Sequence, residues 1–157
     1  MRFLAAILLL LLVFAFPQIV FGGEVEHIEV FHHEICADGE VHLVSYKITI
    51  PTWLTVENRA LVVFSEVFNN AQPDKMIFAP QGVEVRDVLF FWECGHLLIN
   101  LSADIMLYGG TYFEYRLVEK LLANAAAMPH VAYFTVLIEG QIGYLPEGTK
   151  LFAKNVV

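Results

Sequence analysis

The sequence predicts an α/β domain of the α+β kind, in the order β-β-α-β-β-α-β, with one mixed sheet and two helices packed on one face. Three observations predict it. Strand-like runs come in pairs closed by glycine turns, an apolar stretch of helical period follows each pair, and no low-complexity segment or interior linker interrupts the series.

The first pair is His27 to Cys36 and Val41 to Ile50, joined through Ala-Asp-Gly39, with the glycine where a hairpin needs a positive φ. Pro51 ends the second run, and Thr52 or Thr55 can cap a helix reaching about Asn69, with Leu54, Ala60, Leu61, Phe64 and Phe68 near one face. Asn69-Asn-Ala-Gln-Pro73-Asp breaks that helix. The second pair, Val83 to Trp92 and His96 to Leu101, turns at Glu93-Cys-Gly95 and is rich in Val, Leu, Ile and Phe, as central strands are. A second helix starts at Thr111 and ends over Ala125 to Met128, ahead of Pro129. A last strand, Val131 to Ile138, closes at Glu139-Gly140. Thus 27–140 form one domain, and 141–157 read as a turn-like C-terminal tail.

Ahead of the domain stand Arg2, an unbroken apolar run from Phe3 to Phe16, and the small-residue stretch Val20-Phe-Gly-Gly23. This is a secretory signal pattern with a cut after Gly22. Left uncut, Phe3 to Phe21 approaches the roughly 20 residues that span a bilayer and would anchor the chain. Both outcomes place the domain outside the cytoplasm, secreted or anchored on the outer face of the cytoplasmic membrane, with membrane contact only through this segment. Loss of 1–22 leaves eight basic residues against 17 acidic ones, a formal charge of −9 that repels nucleic acid and anionic lipid. A hydrophobic content of 57% means that some apolar strand positions are buried on both faces or covered by a partner.

Cys36 and Cys94 each end a strand just before a turn glycine. Two readings stand: one disulfide in an oxidising compartment, or two separate small core residues. His32-His33-Glu34 is the obvious place to look for a metal. Neighbours on a strand point to opposite faces, so His32 and Glu34 can share an ion but His33 cannot join them, and two ligands fall short of zinc's three or four. No metal ligands or cofactor residues are therefore assigned. No Gly-x-Ser-x-Gly or Cys-His signature appears, and in Asn100-Leu-Ser102-Ala-Asp104 the polar groups suit local backbone bonding at a strand exit. Glycoside cleavage would need two converging carboxylates from Glu84, Asp87, Glu93, Asp104, Glu114 and Glu139, and spacing selects no pair. In Gly109-Gly110-Thr111-Tyr-Phe-Glu114 no lysine is near to hold a phosphate. Thr111 and Glu114 stand three apart, the spacing of a capping box in which Glu114 fills the positive helix end.

An ordered series of short motifs carries a resemblance. Pro80-x-Gly-Val83, Ile99-Asn100-Leu-Ser102, Gly109-Gly110-Thr111-x-x-Glu114, Pro129-x-Val131 and Leu137-Ile-Glu139-Gly140 run over some sixty residues. From about Ile28 to Gly140 the chain resembles the GerMN domain family, the sporulation and germination domain of endospore-forming, Firmicutes-like bacteria. The resemblance implies an extracytoplasmic α/β domain without catalytic residues or cofactor, similar to the ring-building modules of secretion systems. It also implies a role in binding an envelope protein or a peptidoglycan component, with self-association through a sheet edge or helix face. The chain departs from the pattern in lacking a lipoprotein cysteine and in carrying one domain copy where sporulation members often have two. A peptidoglycan hydrolase using paired carboxylates is the alternative function.

Overall fold

A computed structural model describes residues 23–68 and 78–157. The signal or anchor segment through Gly22, the predicted helix end point Asn69 and the break that follows lie outside the described residues. None of the described helices is long and apolar enough to cross a membrane.

Strands β1 (Val25–Ile35) and β2 (Val41–Pro51) pair antiparallel from Val25↔Pro51 to Ile35↔Val41. Alternation sets their inner face: Ile28 and Val30 are buried opposite Ile48 and Tyr46, which pack against the core. The turn closes as its sequence predicts, with Cys36 N–H donating to Glu40 O, Gly39 N–H donating to Cys36 O, and Gly39 at φ +83°.

Helix α1 (Val56–Val67) is capped by Thr55, whose hydroxyl accepts the Asn58 N–H at 3.3 Å. Its buried stripe is Val56, Ala60, Val63, Phe64 and Val67, continued by Phe68, while Leu61 is 38% exposed. The buried face is rotated slightly from the one the sequence predicts, taking in Val56, Val63 and Val67 and leaving out Leu61. Arg59 ties the helix to the hairpin, bonding the carbonyls of Thr52 and Leu54 and pairing with Glu26 at 2.6 Å.

The central sheet is built from β3 (Val85–Phe91), β4 (His96–Leu101) and β5 (Tyr133–Ile138). β3 and β4 form an antiparallel hairpin. Helix α2 (Thr111–Ala126) then returns the chain so that β5 lies parallel to β4, from His96↔Tyr133 to Leu101↔Ile138. A short 3-10 turn, Ala103–Met106, links β4 to the approach of α2. On the covered face Leu97, Ile99 and Leu101 of β4 are fully buried, and Phe134 of β5 stacks on Phe64 of α1 with ring centres 5.4 Å apart.

Two helices and mixed strands are present as expected, but the strands form two sheets. The β1-β2 hairpin does not join the central sheet. It packs against both helices, through β1 contacts with α1 and α2. The reason lies at Phe31, whose backbone N–H and C=O point away from β2 and are taken by the side chain of Asn124 in α2, both at 2.9 Å. A helix amide therefore occupies the edge that another strand would have used.

Residues 141–157, read from the sequence as a tail, are part of this architecture. β6 (Gln141–Ile142) and β7 (Lys154–Asn155) both pair with β5, and Leu145 and Leu151 are buried in the core.

Candidate functional site

The motif residues gather into two hydrogen-bonded groups. In the first, Asn100, Ser102, Glu139 and Gly140 meet where β4 and β5 end. Asn100 Oδ1 accepts the Gly140 N–H at 2.7 Å, and Glu139 accepts the Ala103 N–H at 2.7 Å while forming an ion pair with Arg86. Ser102 is buried; its N–H donates to Glu84 O, its hydroxyl accepts the Glu84 N–H and donates to Asp104. These groups are consumed in joining strand ends, and the backbone partners of the Ser102 and Asn100 side chains lie 18 and 40 positions away rather than in the local turn.

The second group sits at the start of α2. Gly110, at φ +100°, is the N-cap, Thr111 is the first helical residue, and no side chain caps the helix. The expected capping box is therefore absent, because Glu114 is turned inward. It is 2% exposed and accepts the N–H of Glu147 at 2.7 Å, the N–H of Thr149 at 2.9 Å and the hydroxyl of Tyr108 at 2.9 Å. Burial alone would raise its pKa, but hydrogen bonds from Thr149, Glu147 and Tyr108 outweigh burial and hold the carboxyl below its ordinary value. Burial and the Glu114 carboxylate in turn push the Tyr108 phenol upward. Gly110 finds its own acceptor in the Glu147 carboxylate, at 2.8 Å. The glycines thus serve a turn whose partner is the C-terminal loop.

Cys36 and Cys94 are both free and exposed. They stand at different hairpin turns, Cys36 after β1 and Cys94 between β3 and β4, so they are two separate thiols, and their exposure at the turns corrects the core placement as well. His32 bonds Glu34 at 2.9 Å, on one face as their spacing predicts. His33, on the other face, is fully buried and contacts Glu119 of α2 at 3.0 Å, and Glu119 also pairs with Arg116. Burial lowers the His33 pKa, and the neighbouring Lys120 and Arg116 add to that against the pull of Glu119.

The open surface lies on the far side of the central sheet. Leu89 and Phe91 of β3, each 47% exposed, lie across from Leu98 and His96 of β4, which lie beside Thr135 and Tyr133 of β5. Tyr133 is 40% exposed. A groove of about 230 Å³ on this face is lined by Asp87, Leu89, Leu98, Asn100, Leu137 and Gly140. The helices cover the opposite face; on this one Leu89, Phe91 and Tyr133 are exposed, Leu98 and Leu137 are half-buried, and Thr135 is fully buried, its hydroxyl bonded to His96 and accepting the Ala153 N–H. Sequence reasoning named Asn100 and Gly140 of this groove as motif residues and Asp87 as a candidate carboxylate, but did not single out Leu89, Leu98, Tyr133 or Leu137. A signal was present at the end of β3, where Leu89 and Phe91 alternate with Val88 and Phe90 and only one pair can face the helices; in β4, His96 and Asn100 flank Leu98 on the outward set.

No family model matches the sequence, and no curated protein matches it. Solved structures do. The tandem GerMN domains of the sporulation protein GerM from Bacillus subtilis align with a TM-score of 0.61 at 12% identity, over 87% of this chain and 46% of that one. The first GerMN domain of GerM aligns with a TM-score of 0.54 at 15% identity, over 82% of this chain and 96% of that one. A Clostridium perfringens protein provisionally named a lipoprotein aligns with a TM-score of 0.55 at 11% identity, over 89% and 91%. The chain spans about half the tandem protein and nearly all of the single domain. Its fold is GerMN-like.

Proposed function

Taking the GerMN-like fold as the premise, we propose that the chain is a non-catalytic extracytoplasmic module that binds an envelope protein through the open face of its central sheet. The observation that carries this reading is the apolar set on this face, with Leu89, Phe91 and Tyr133 exposed and Leu98 and Leu137 half-buried beside them. Its burial against a partner would contribute about 1.5 to 3 kcal/mol for each large side chain fully covered. The formal charge of −8 favours a partner with a basic rim around an apolar centre. A place in sporulation, germination or envelope assembly is the setting that the solved neighbours support, and the apolar N-terminal segment supports a position outside the cytoplasm. The non-catalytic reading is supported by the fate of Glu114 and Glu139, whose oxygens are held by internal donors.

The test is site-specific photo-cross-linking in the membrane and wall fraction. A probe at Leu89 should capture a discrete protein that a probe at Tyr115, on the exposed side of α2, does not. Leu98→Asp should abolish the capture. Cross-linking from Tyr115 alone would move the interface to the helices, and capture of glycan from Leu89 would replace the protein partner with a cell-wall component. Turnover of labelled peptidoglycan by the purified chain would overturn the non-catalytic reading.

A further inference from the structure

The tip of the β1-β2 hairpin brings together three side chains of different chemistry. Cys36 follows β1, Asp38 lies within the turn and His42 is the second residue of β2. Their thiol, carboxylate and imidazole atoms all lie within 4.8 Å of one another. We propose that Cys36, Asp38 and His42 form a binding site for a borderline divalent transition metal of the zinc type.

The turn fixes the backbone that carries the three ligands. Cys36 N–H bonds Glu40 O at 2.8 Å, Gly39 N–H bonds Cys36 O at 2.9 Å, and Glu40 N–H bonds Asp38 Oδ1 at 2.9 Å. That last bond orients the Asp38 carboxylate and leaves its second oxygen free of it. The thiol of Cys36 and the ring of His42 have no hydrogen-bond partner among the described residues, so three converging groups stand close without satisfying one another. His42 lies directly across from Glu34, which is already bonded to His32. A carboxylate is thus placed beside the histidine ligand, where it can accept a ring N–H and raise the ligand's basicity.

Donor chemistry selects the ion. A thiolate with an imidazole disfavours calcium and magnesium, which take oxygen ligands, and suits zinc and its neighbours. Bond lengths of about 2.0 to 2.3 Å require the three groups to draw in slightly from their present spacing. An exposed hairpin tip permits that small movement. Three protein ligands leave a fourth tetrahedral position for water, so the ion would pin the tip and shield the Cys36 thiol.

Cobalt(II) titration of the reduced, purified full chain tests this, since a cobalt-thiolate bond gives an intense near-ultraviolet charge-transfer band. The expected result is one equivalent of cobalt bound with that band, displaced by zinc. Cys36→Ser should abolish the band, and Asp38→Asn and His42→Ala should each weaken binding by roughly tenfold or more. Cys94→Ser should leave it unchanged. All four positions are exposed, and far-ultraviolet circular dichroism of the metal-free variants separates loss of a ligand from loss of fold. Zinc should also protect Cys36, and not Cys94, from alkylation. Absence of the band, or its survival in Cys36→Ser, overturns the proposal.

Discussion

Glu114 and Glu147 hold the two ends of one exchange: the Glu114 carboxylate accepts the Glu147 N–H, and the Glu147 carboxylate accepts the N–H of Gly110 at the start of the same helix. The C-terminal loop is therefore tied to α2 through a buried anion. Glu114→Gln turns one acceptor oxygen into a donor facing donors already in place, and should cost about 3 kcal/mol in urea denaturation. Thr111→Ala should cost no more than about 0.5 kcal/mol, since Thr111 is not the cap. The reverse ranking would restore the capping-box reading.

Stability should fall with acid in two windows. His33 has a folded pKa below its ordinary value, whereas the unfolded chain takes up that proton near pH 6.5. Below that pH the unfolded state binds more protons, so stability declines until the folded value is passed. Glu114 and Glu119 are depressed carboxyls. Their stabilisation is complete above the ordinary carboxylate value and is lost as pH falls through their lower folded values. Each group can contribute a slope of at most about 1.4 kcal/mol per pH unit. Denaturation midpoints measured from pH 8 to pH 3 should show both declines; His33→Gln should flatten the upper one and reduce only the Glu119 part of the lower one, leaving the Glu114 part in place.

Local signals made the elements legible, and long-range pairing was where they ran out. Alternation and Gly39 specified the first hairpin, and Thr55 marked the start of α1. Nothing near β1 states that its outer edge meets Asn124, 93 positions away, so sequence alone predicts the hairpin as part of the central sheet. The spacing of Thr111 and Glu114 matched a local motif, but Glu147 and Thr149 offered Glu114 buried donors that the helix end could not. In the same way, the histidine pair drew attention to one side of β1, while Cys36, Asp38 and His42 meet only when the turn folds. The open sheet face was legible in β4, whose outward set His96, Leu98 and Asn100 is mostly polar, but not in β3, where alternation does not say which of two apolar pairs a helix will cover.

Asn124 should be among the most costly polar residues to replace. Its Oδ1 accepts the Phe31 N–H, and its Nδ2 donates to the carbonyls of Phe31 and Lys120, all at 2.9 Å in a fully buried position. Asn124→Ala should cost about 3 kcal/mol by leaving the Phe31 backbone without partners. Asn124→Asp should cost more, because a carboxylate would face two carbonyl oxygens. Hydrogen exchange at the Phe31 amide gives an independent reading. It should accelerate in Asn124→Ala by more than global stability explains, and unchanged local protection would mean that the hairpin is held by packing alone.

Gly95 joins the two halves of the central sheet at a point where no side chain fits. Its φ is +62°, its carbonyl accepts the N–H groups of Ala132 and Tyr133 at 2.8 and 3.1 Å, and a Cβ there would lie 2.6 Å from His130 O. Gly148 also has a positive φ, +97°, but a Cβ would meet open space. The pair separates backbone strain from collision. Gly148→Ala should cost about 1 kcal/mol, the penalty of the left-handed region alone. Gly95→Ala should cost about 3 kcal/mol, because the β3-β4 turn must also move off the strand that follows α2. Thermal denaturation of the two variants side by side should show the larger loss at Gly95. Equal losses would mean that the His130 to Ala132 segment yields freely and that the turn does not fix the register of β4 against β5.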